Sequence, residues 1–132
     1  MSGNLYYVSS KEYLEKYAKM LYETKFILSL FLTLFIEIPI LFLFIRYIYR
    51  LKINGFKIIF IGFIASFTTL PYLWFILPSY INVSCYVYIG EFLVFLFEAF
   101  IYNRLLNLNY KKAVLISFVA NLMSFIIGFL IF

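Results

Sequence analysis

The chain has 132 residues, of which 66% are hydrophobic, 24% are aromatic and only 13% are charged, and its net charge is +5. This composition excludes a soluble globular domain and predicts an integral membrane protein whose partner is the lipid bilayer. Nucleic-acid binding is excluded too, since the basic residues lie at the ends of apolar segments, where phospholipid headgroups account for them.

Residues 1–25 predict an N-terminal amphipathic helix. Ser9-Ser10-Lys11-Glu12 fits a capping box, in which the two outer side chains bind each other's backbone N–H groups and begin the helix. Apolar residues then recur at helical spacing: Tyr13, Leu14, Tyr17 and Leu21. We expect this helix to lie in the membrane interface or to pack over the bundle mouth. We favour a helical extension of the first span that only anchors the chain, and the alternative is a regulatory or partner-binding role.

Four apolar segments follow, each close to the roughly 20 residues that a helix needs to cross a membrane. They are Phe26–Ile45, Ile58–Leu77, Val83–Tyr102 and Ala113–Phe132. None alternates apolar and polar residues, as the strands of a membrane barrel do. The sequence therefore predicts an all-α fold, in which residues 26–132 form an integral membrane four-helix bundle.

Basic residues are concentrated in the connections at 46–57 and 103–112, which carry Arg46, Arg50, Lys52, Lys57, Arg104, Lys111 and Lys112. The positive-inside rule predicts that both connections are cytoplasmic and both termini external. The N-terminal segment favours the opposite orientation through Lys11, Lys16, Lys19 and Lys25, but these are fewer.

Each predicted span carries a polar residue near its middle. Glu37, Ser66 and Asn121 each lie nine residues from the nearest basic residue of the connections, hence about 13 to 14 Å into the membrane. Glu98 lies six residues from Arg104, about one turn nearer the connection. The four spans therefore contribute to one polar layer.

Glu37 and Glu98 are the leading candidates for a proton or cation site. An ionised acid at the bilayer centre is costly, and no basic residue lies within the predicted spans to pair with them. We expect them to be protonated much of the time, or to bind a cation from a water-filled cavity. The expected hydrogen-bond partners are Thr33, Ser66 and Asn121. Glu91 is a further candidate nearer the outer interface, and the alternative is that the acids only join helices.

Two prolines interrupt the hydrogen bonding of their spans, Pro39 two residues after Glu37 and Pro71 in the second span. Such positions often bound binding sites in transporters, so we interpret both as candidate hinges.

The spans also contain a weak internal repeat. Residues 63–69 match residues 118–124 at an offset of 55, and residues 34–37 match residues 95–98 at an offset of 61. This predicts two helical hairpins in parallel repeat, related by a pseudo-two-fold axis along the membrane normal.

The sequence gives little support to an enzymatic function. The chain has no histidine, no aspartate and one cysteine, which removes aspartyl dyads, Ser–His pairs, histidine-rich metal centres and an internal disulfide. We expect no catalysis, no metal and no cofactor.

Several motifs together resemble a pattern found in a functionally uncharacterised family of small four-span prokaryotic membrane proteins. They are Glu37 with Pro39, Thr69-x-Pro71, Glu91 with Glu98, and Asn121-x-x-Ser124-Phe125-x-x-Gly128. The resemblance covers the spans but not the first 25 residues, and implies a prokaryotic plasma membrane. In architecture the chain is also similar to the small multidrug transporters, but their other motif residues do not match.

Two functions are therefore expected from the sequence. The first is a small proton- or cation-coupled transporter or channel that acts as a homo-oligomer, because four helices enclose little volume. The second is a non-catalytic subunit or assembly factor, whose polar layer meets the helices of membrane protein partners.

Overall fold

The computed structural model describes residues 2–81 and 85–132, with side chains from residue 10 onward. The described residues form four α-helices and no strand: α1 Ser2–Leu43, α2 Gly55–Pro71, α3 Tyr86–Leu105 and α4 Tyr110–Ile131. α1 continues as a π-helical turn, Phe44–Ile48. α2 continues as a π-helical turn, Tyr72–Ile76, and a 3₁₀ turn, Leu77–Ser79. The predicted all-α four-helix bundle is confirmed.

All four helices are long and apolar enough to cross a membrane, with candidate spans at Ser10–Ile48, Gly55–Ser79, Tyr86–Leu105 and Tyr110–Ile131. The outward faces expose large apolar side chains, such as Phe35, Phe97 and Phe129, which in water would be an aggregation hazard. Both observations indicate a membrane protein. The predicted start of the third span, Val83, lies outside the described residues, and its helix ends at Leu105, beyond the predicted Tyr102.

The N-terminal segment and the first span form one continuous helix. α1 begins at Ser2, so Ser9 does not begin a helix and the predicted capping box is wrong. The side chains of residues 10–21 are all exposed, so this segment does not pack over the bundle mouth. No proline or glycine lies between Asn4 and Pro39 to end the helix, and the backbone therefore continues straight into the span.

The helices pack in a ring, since α1 contacts α2 and α4 while α3 contacts the same two helices. At two of these helix contacts a glycine allows the neighbouring element to approach closely. A Cβ on Gly62 of α2 would lie 3.2 Å from Ile38 Cγ1 of α1, and a Cβ on Gly90 of α3 would lie 2.0 Å from Leu73 Cδ1 after α2. Such small residues allow backbones to approach closely in membrane bundles.

Buried apolar side chains fill the half of the bundle next to the connections at residues 49–54 and 106–109. We call this cluster the loop-side core: Leu41, Ile45, Ile58, Ile61, Ala65, Tyr102, Leu106, Leu108, Ala113 and Ile116. Its largest fully buried side chain is Tyr102. Because all four helices contribute, the core closes this end of the bundle.

Candidate functional site

Glu37 of α1 lies at the centre of the bundle with only 1% of its surface exposed. Its carboxyl Oε2 accepts a hydrogen bond from Ser66 Oγ of α2 at 2.7 Å, and its Oε1 accepts one from Ser124 Oγ of α4 at 2.8 Å. The short hydroxyl side chains can reach the acid because α1 packs against both helices. Both oxygens of this acid are therefore bound by hydroxyl groups rather than by a cationic side chain.

Glu98 of α3 is fully buried. Its Oε1 accepts from Thr69 Oγ1 of α2 at 3.0 Å, and its Oε2 accepts from Asn121 Nδ2 of α4 at 2.7 Å. The same amide nitrogen donates to the backbone oxygen of Ser117 at 2.9 Å, and Ser117 Oγ donates to the Phe95 backbone oxygen of α3 at 2.7 Å. The second acid is thus held in a network that joins α2, α3 and α4.

The two sets of hydrogen bonds follow the sequence repeat. Glu37 corresponds to Glu98 at an offset of 61, Ser66 to Asn121 at 55, and Thr69 to Ser124 at 55. The bond between Glu37 and Ser66 therefore has its counterpart in that between Glu98 and Asn121. The cross-hairpin bond from Ser124 likewise has its counterpart in that from Thr69. These contacts support the two-hairpin repeat.

Thr69 and Ser124 each have a choice of acceptor. Thr69 Oγ1 lies 2.9 Å from the backbone oxygen of Ala65 and 3.0 Å from Glu98 Oε1. Ser124 Oγ lies 3.0 Å from the backbone oxygen of Asn121 and 2.8 Å from its acid. A hydroxyl has one proton and two lone pairs. Each hydroxyl can therefore donate to an ionised acid, or turn to the backbone and accept from a protonated one.

Both acids interact with α2 and α4 at one level, within residues 66–69 and 121–124. The sequence instead predicts Glu98 one turn nearer the connections. The count assumes that the two helices end at the same level, whereas Glu37 lies 11 residues before Ile48, where its helix ends, and Glu98 lies only seven residues before Leu105.

The structure brings four of the predicted site residues into contact as two pairs, Glu37 with Ser66 and Glu98 with Asn121. Thr33 is an expected partner of Glu37, but it is buried one turn away and lines a cavity wall. The hydrogen bonds to Glu37 come from hydroxyls of α2 and α4 instead. Glu91 lines the same wall. The sequence prediction missed Thr69 and Ser124 as partners, although both stand three residues after a predicted site residue in the repeat.

The candidate hinges differ in their surroundings. α1 continues as an α-helix through Pro39, whose side chain is exposed. The helix type changes directly after Pro71, where the π-helical turn Tyr72–Ile76 begins. π-Helical turns are frequent at functional sites, and this one supplies Leu73 and Trp74 to the cavity wall.

A cavity of about 220 Å³ leads to Glu37 from the end of the bundle opposite the loop-side core. We call it the central cavity. All four helices line it, and its polar wall residues are Lys25, Ser29, Thr33, Glu37, Tyr86, Glu91 and Ser124. Aromatic side chains complete the wall, among them Trp74 and Phe125. The cavity gives one acid a route to the surface, since Glu98 is not among the residues that line it.

The loop-side core lies beyond the two acids. Tyr102, one turn after Glu98, has a buried hydroxyl without a hydrogen-bond partner among the described residues. The other members of the core are aliphatic, so between the acids and the connections the described residues of the core offer a proton little besides this hydroxyl and that of Tyr49, which packs against the core. Of the pair, Glu37 therefore faces the central cavity at the end opposite the loop-side core, while Glu98 is fully buried.

Comparison with protein-family models, with curated proteins and with solved structures finds no match to this chain.

Proposed function

We propose that the chain is a proton- or cation-coupled membrane transporter whose coupling site is the acid pair Glu37 and Glu98. The central cavity carries this proposal, because it leads from Lys25 to Glu37 and stops there. The loop-side core fills the bundle beyond that point. A site open at one end and sealed at the other is what a carrier exposes in each of its states, whereas a channel needs a continuous path.

The size of the central cavity limits the cargo. Its volume of about 220 Å³ is below the roughly 300 to 1,000 Å³ of sites that hold drug-sized molecules. A proton or a small cation fits this space, whereas a large organic substrate would require a second copy of the chain to widen it. The expected homo-oligomer is therefore part of the proposal only for a larger substrate.

The chemistry of the acid pair supports proton coupling. Each acid accepts a hydrogen bond from at least one hydroxyl, which can also accept one, and no cationic side chain is among the hydrogen-bond partners of either acid. Intramembrane carboxyl groups in such surroundings commonly relay protons in transporters. The alternative acceptors of Thr69 and Ser124 would let either acid change its charge without moving a helix.

A pH-jump assay in proteoliposomes tests the proposal. The purified chain is reconstituted with an internal pH-sensitive dye, and proton flux is measured after external acidification in the presence of each alkali cation. We expect wild-type protein to dissipate the gradient and Glu37→Gln to reduce the flux at least about tenfold, because amide and acid have the same shape but only the acid titrates.

The matched control is Glu15→Gln, which makes the same change on the exposed N-terminal part of α1. This variant should conduct like wild type. A Glu37→Gln variant with wild-type flux would contradict the proposal.

The N-terminal part of α1 favours a second candidate, a membrane subunit or assembly factor. Its apolar residues Tyr13, Leu14, Tyr17 and Leu21 are all exposed, as a surface for a partner protein would be. Purification from the native membrane in a mild detergent separates the two candidates. Stoichiometric foreign subunits would support the second, and a chain purified alone or as a homo-oligomer would support transport.

A further inference from the structure

The connection between α1 and α2 forms a second cavity, an open one on the surface of the protein, at the end of the bundle opposite the central cavity. It is lined by Arg46, Arg50, Leu51, Lys52, Ile53 and Asn54. Three of these six residues are cationic and none is acidic. We call it the basic cavity.

The chain offers this cavity no counter-ion. The six acidic residues of the sequence are Glu12, Glu15, Glu23, Glu37, Glu91 and Glu98. The first three lie on the N-terminal part of α1, and the others lie farther along α1 and within α3. None is near residues 46–54 along the chain, so the positive charge of the basic cavity is left for an external anion.

The backbone at Arg50 is an unusual place for arginine. Its φ is 52°, in the left-handed region, and the connection between α3 and α4 repeats this conformation at Asn107 with φ 53°. Asparagine is favoured in this region, whereas a long side chain is uncommon there. The fold therefore requires a left-handed residue in both connections, but it does not require a charge. The backbone conformation therefore does not account for the charge at position 50.

Arg46 is held at the beginning of α2. Its guanidinium carbon lies 5.5 Å from the centre of the Phe42 ring, and a Cβ on Gly55 would lie 3.4 Å from its Nη2. Gly55 is the first residue of α2, and Asn54 caps that helix through its side chain. The Arg46 guanidinium and the positive end of the α2 dipole therefore both contribute positive charge at the same end of the basic cavity.

We propose that the basic cavity binds the phosphate of an anionic phospholipid headgroup. The cavity lies where the chain leaves one candidate span at Ile48 and enters the next at Gly55, which is headgroup level for a membrane helix. Two guanidinium groups and an ammonium suit phosphate oxygens, because guanidinium binds them in a fork. Basic pockets between spans bind anionic headgroups in the same way.

Lipid binding to purified protein in detergent, followed by native mass spectrometry, tests this proposal. The probes are phosphatidylglycerol, phosphatidylcholine and inorganic phosphate. We expect phosphatidylglycerol to be retained in preference to phosphatidylcholine, and Arg50→Gly to weaken that retention about fivefold, the effect of roughly 1 kcal/mol for one basic residue at a membrane surface. Glycine adopts a positive φ without strain, so this variant should fold.

Asn107→Gly is the matched control, since it makes the corresponding backbone change in the other connection without altering charge. It should retain the lipid like wild type. Lys52→Gln provides a second charge variant at an exposed side chain, with an expected loss of similar size. Equal retention of both lipids, or unchanged retention in both charge variants, would overturn the proposal. Displacement of the lipid by millimolar phosphate would identify a soluble phosphate ligand instead and overturn the assignment to lipid.

Discussion

Glu37 on α1 and Glu98 on α3 each accept one hydrogen bond from α2 and one from α4. The two acids share no hydrogen-bond partner, and together they join all four helices at one level. They differ in access, because only Glu37 lines the central cavity. This difference between two otherwise similar acids leads to the first prediction.

A small water-soluble carbodiimide should modify Glu37 much faster than Glu98. The reagent needs a route to the carboxyl group, and of these two acids only Glu37 lines the central cavity. Glu91, which is only half-buried on the same wall, should react fastest of the three acids within the bundle. Mass spectrometry of digested protein after timed labelling measures the three rates. A Glu98 rate equal to that of Glu37 would contradict the described route.

Gly128→Leu should abolish transport at little cost in stability. A Cβ on Gly128 would meet nothing within 4 Å, and the residue lines the central cavity, so a leucine there would fill space that cargo needs. The measurements are proton flux in proteoliposomes and the melting temperature in detergent.

Gly90→Leu is the steric counterpart of that variant. A Cβ on Gly90 would lie 2.0 Å from Leu73 Cδ1 and 2.7 Å from Leu77 Cδ2. The larger side chain should therefore push α3 from the end of α2 and destabilise the protein by about 1 to 3 kcal/mol. Wild-type stability for this variant, or wild-type flux for Gly128→Leu, would show that the packing differs from that described.

Tyr102→Phe should leave the free energy of unfolding unchanged or raise it by up to about 1 kcal/mol. The hydroxyl of Tyr102 is buried without a partner among the described residues, and an unsatisfied buried polar group is destabilising. Reversible unfolding in mixed micelles measures the change. A loss above about 1 kcal/mol would mean that the hydroxyl has a partner, such as a buried water, and that the loop-side core is not dry.

Asn54→Ala should destabilise α2 by about 0.5 to 2 kcal/mol, the usual cost of losing an N-cap side chain. The Asn54 side-chain oxygen accepts from the backbone N–H of Phe56 at 3.1 Å. Asn109 occupies the equivalent position before α4 but makes no such bond. Asn109→Ala is therefore the control and should change stability less; equal losses in the two variants would contradict the cap.

Much of the candidate site could be predicted from residue spacing. Ser66 and Asn121 stand near the middle of their spans and face inward, because a polar side chain on the lipid side would lack a partner. The same reasoning did not identify Thr69 and Ser124 as partners of the acids. Hydroxyl side chains in membrane helices often bond their own backbone, as both of these do, so the residue type alone does not reveal an interhelical bond.

The sequence by itself determined the four apolar helices, the basic connections and the polar residue in every span, because these depend on local composition and on the length of a membrane-crossing helix. Only the tertiary structure decided that α1 continues unbroken from Ser2, which donors bind Glu37 and Glu98, and that of these two acids only Glu37 lines a cavity. Those properties depend on how each helix is rotated and placed against two others. That arrangement is set by side chains far apart in the sequence, such as Ser124 and Glu37, whose contact no local pattern records.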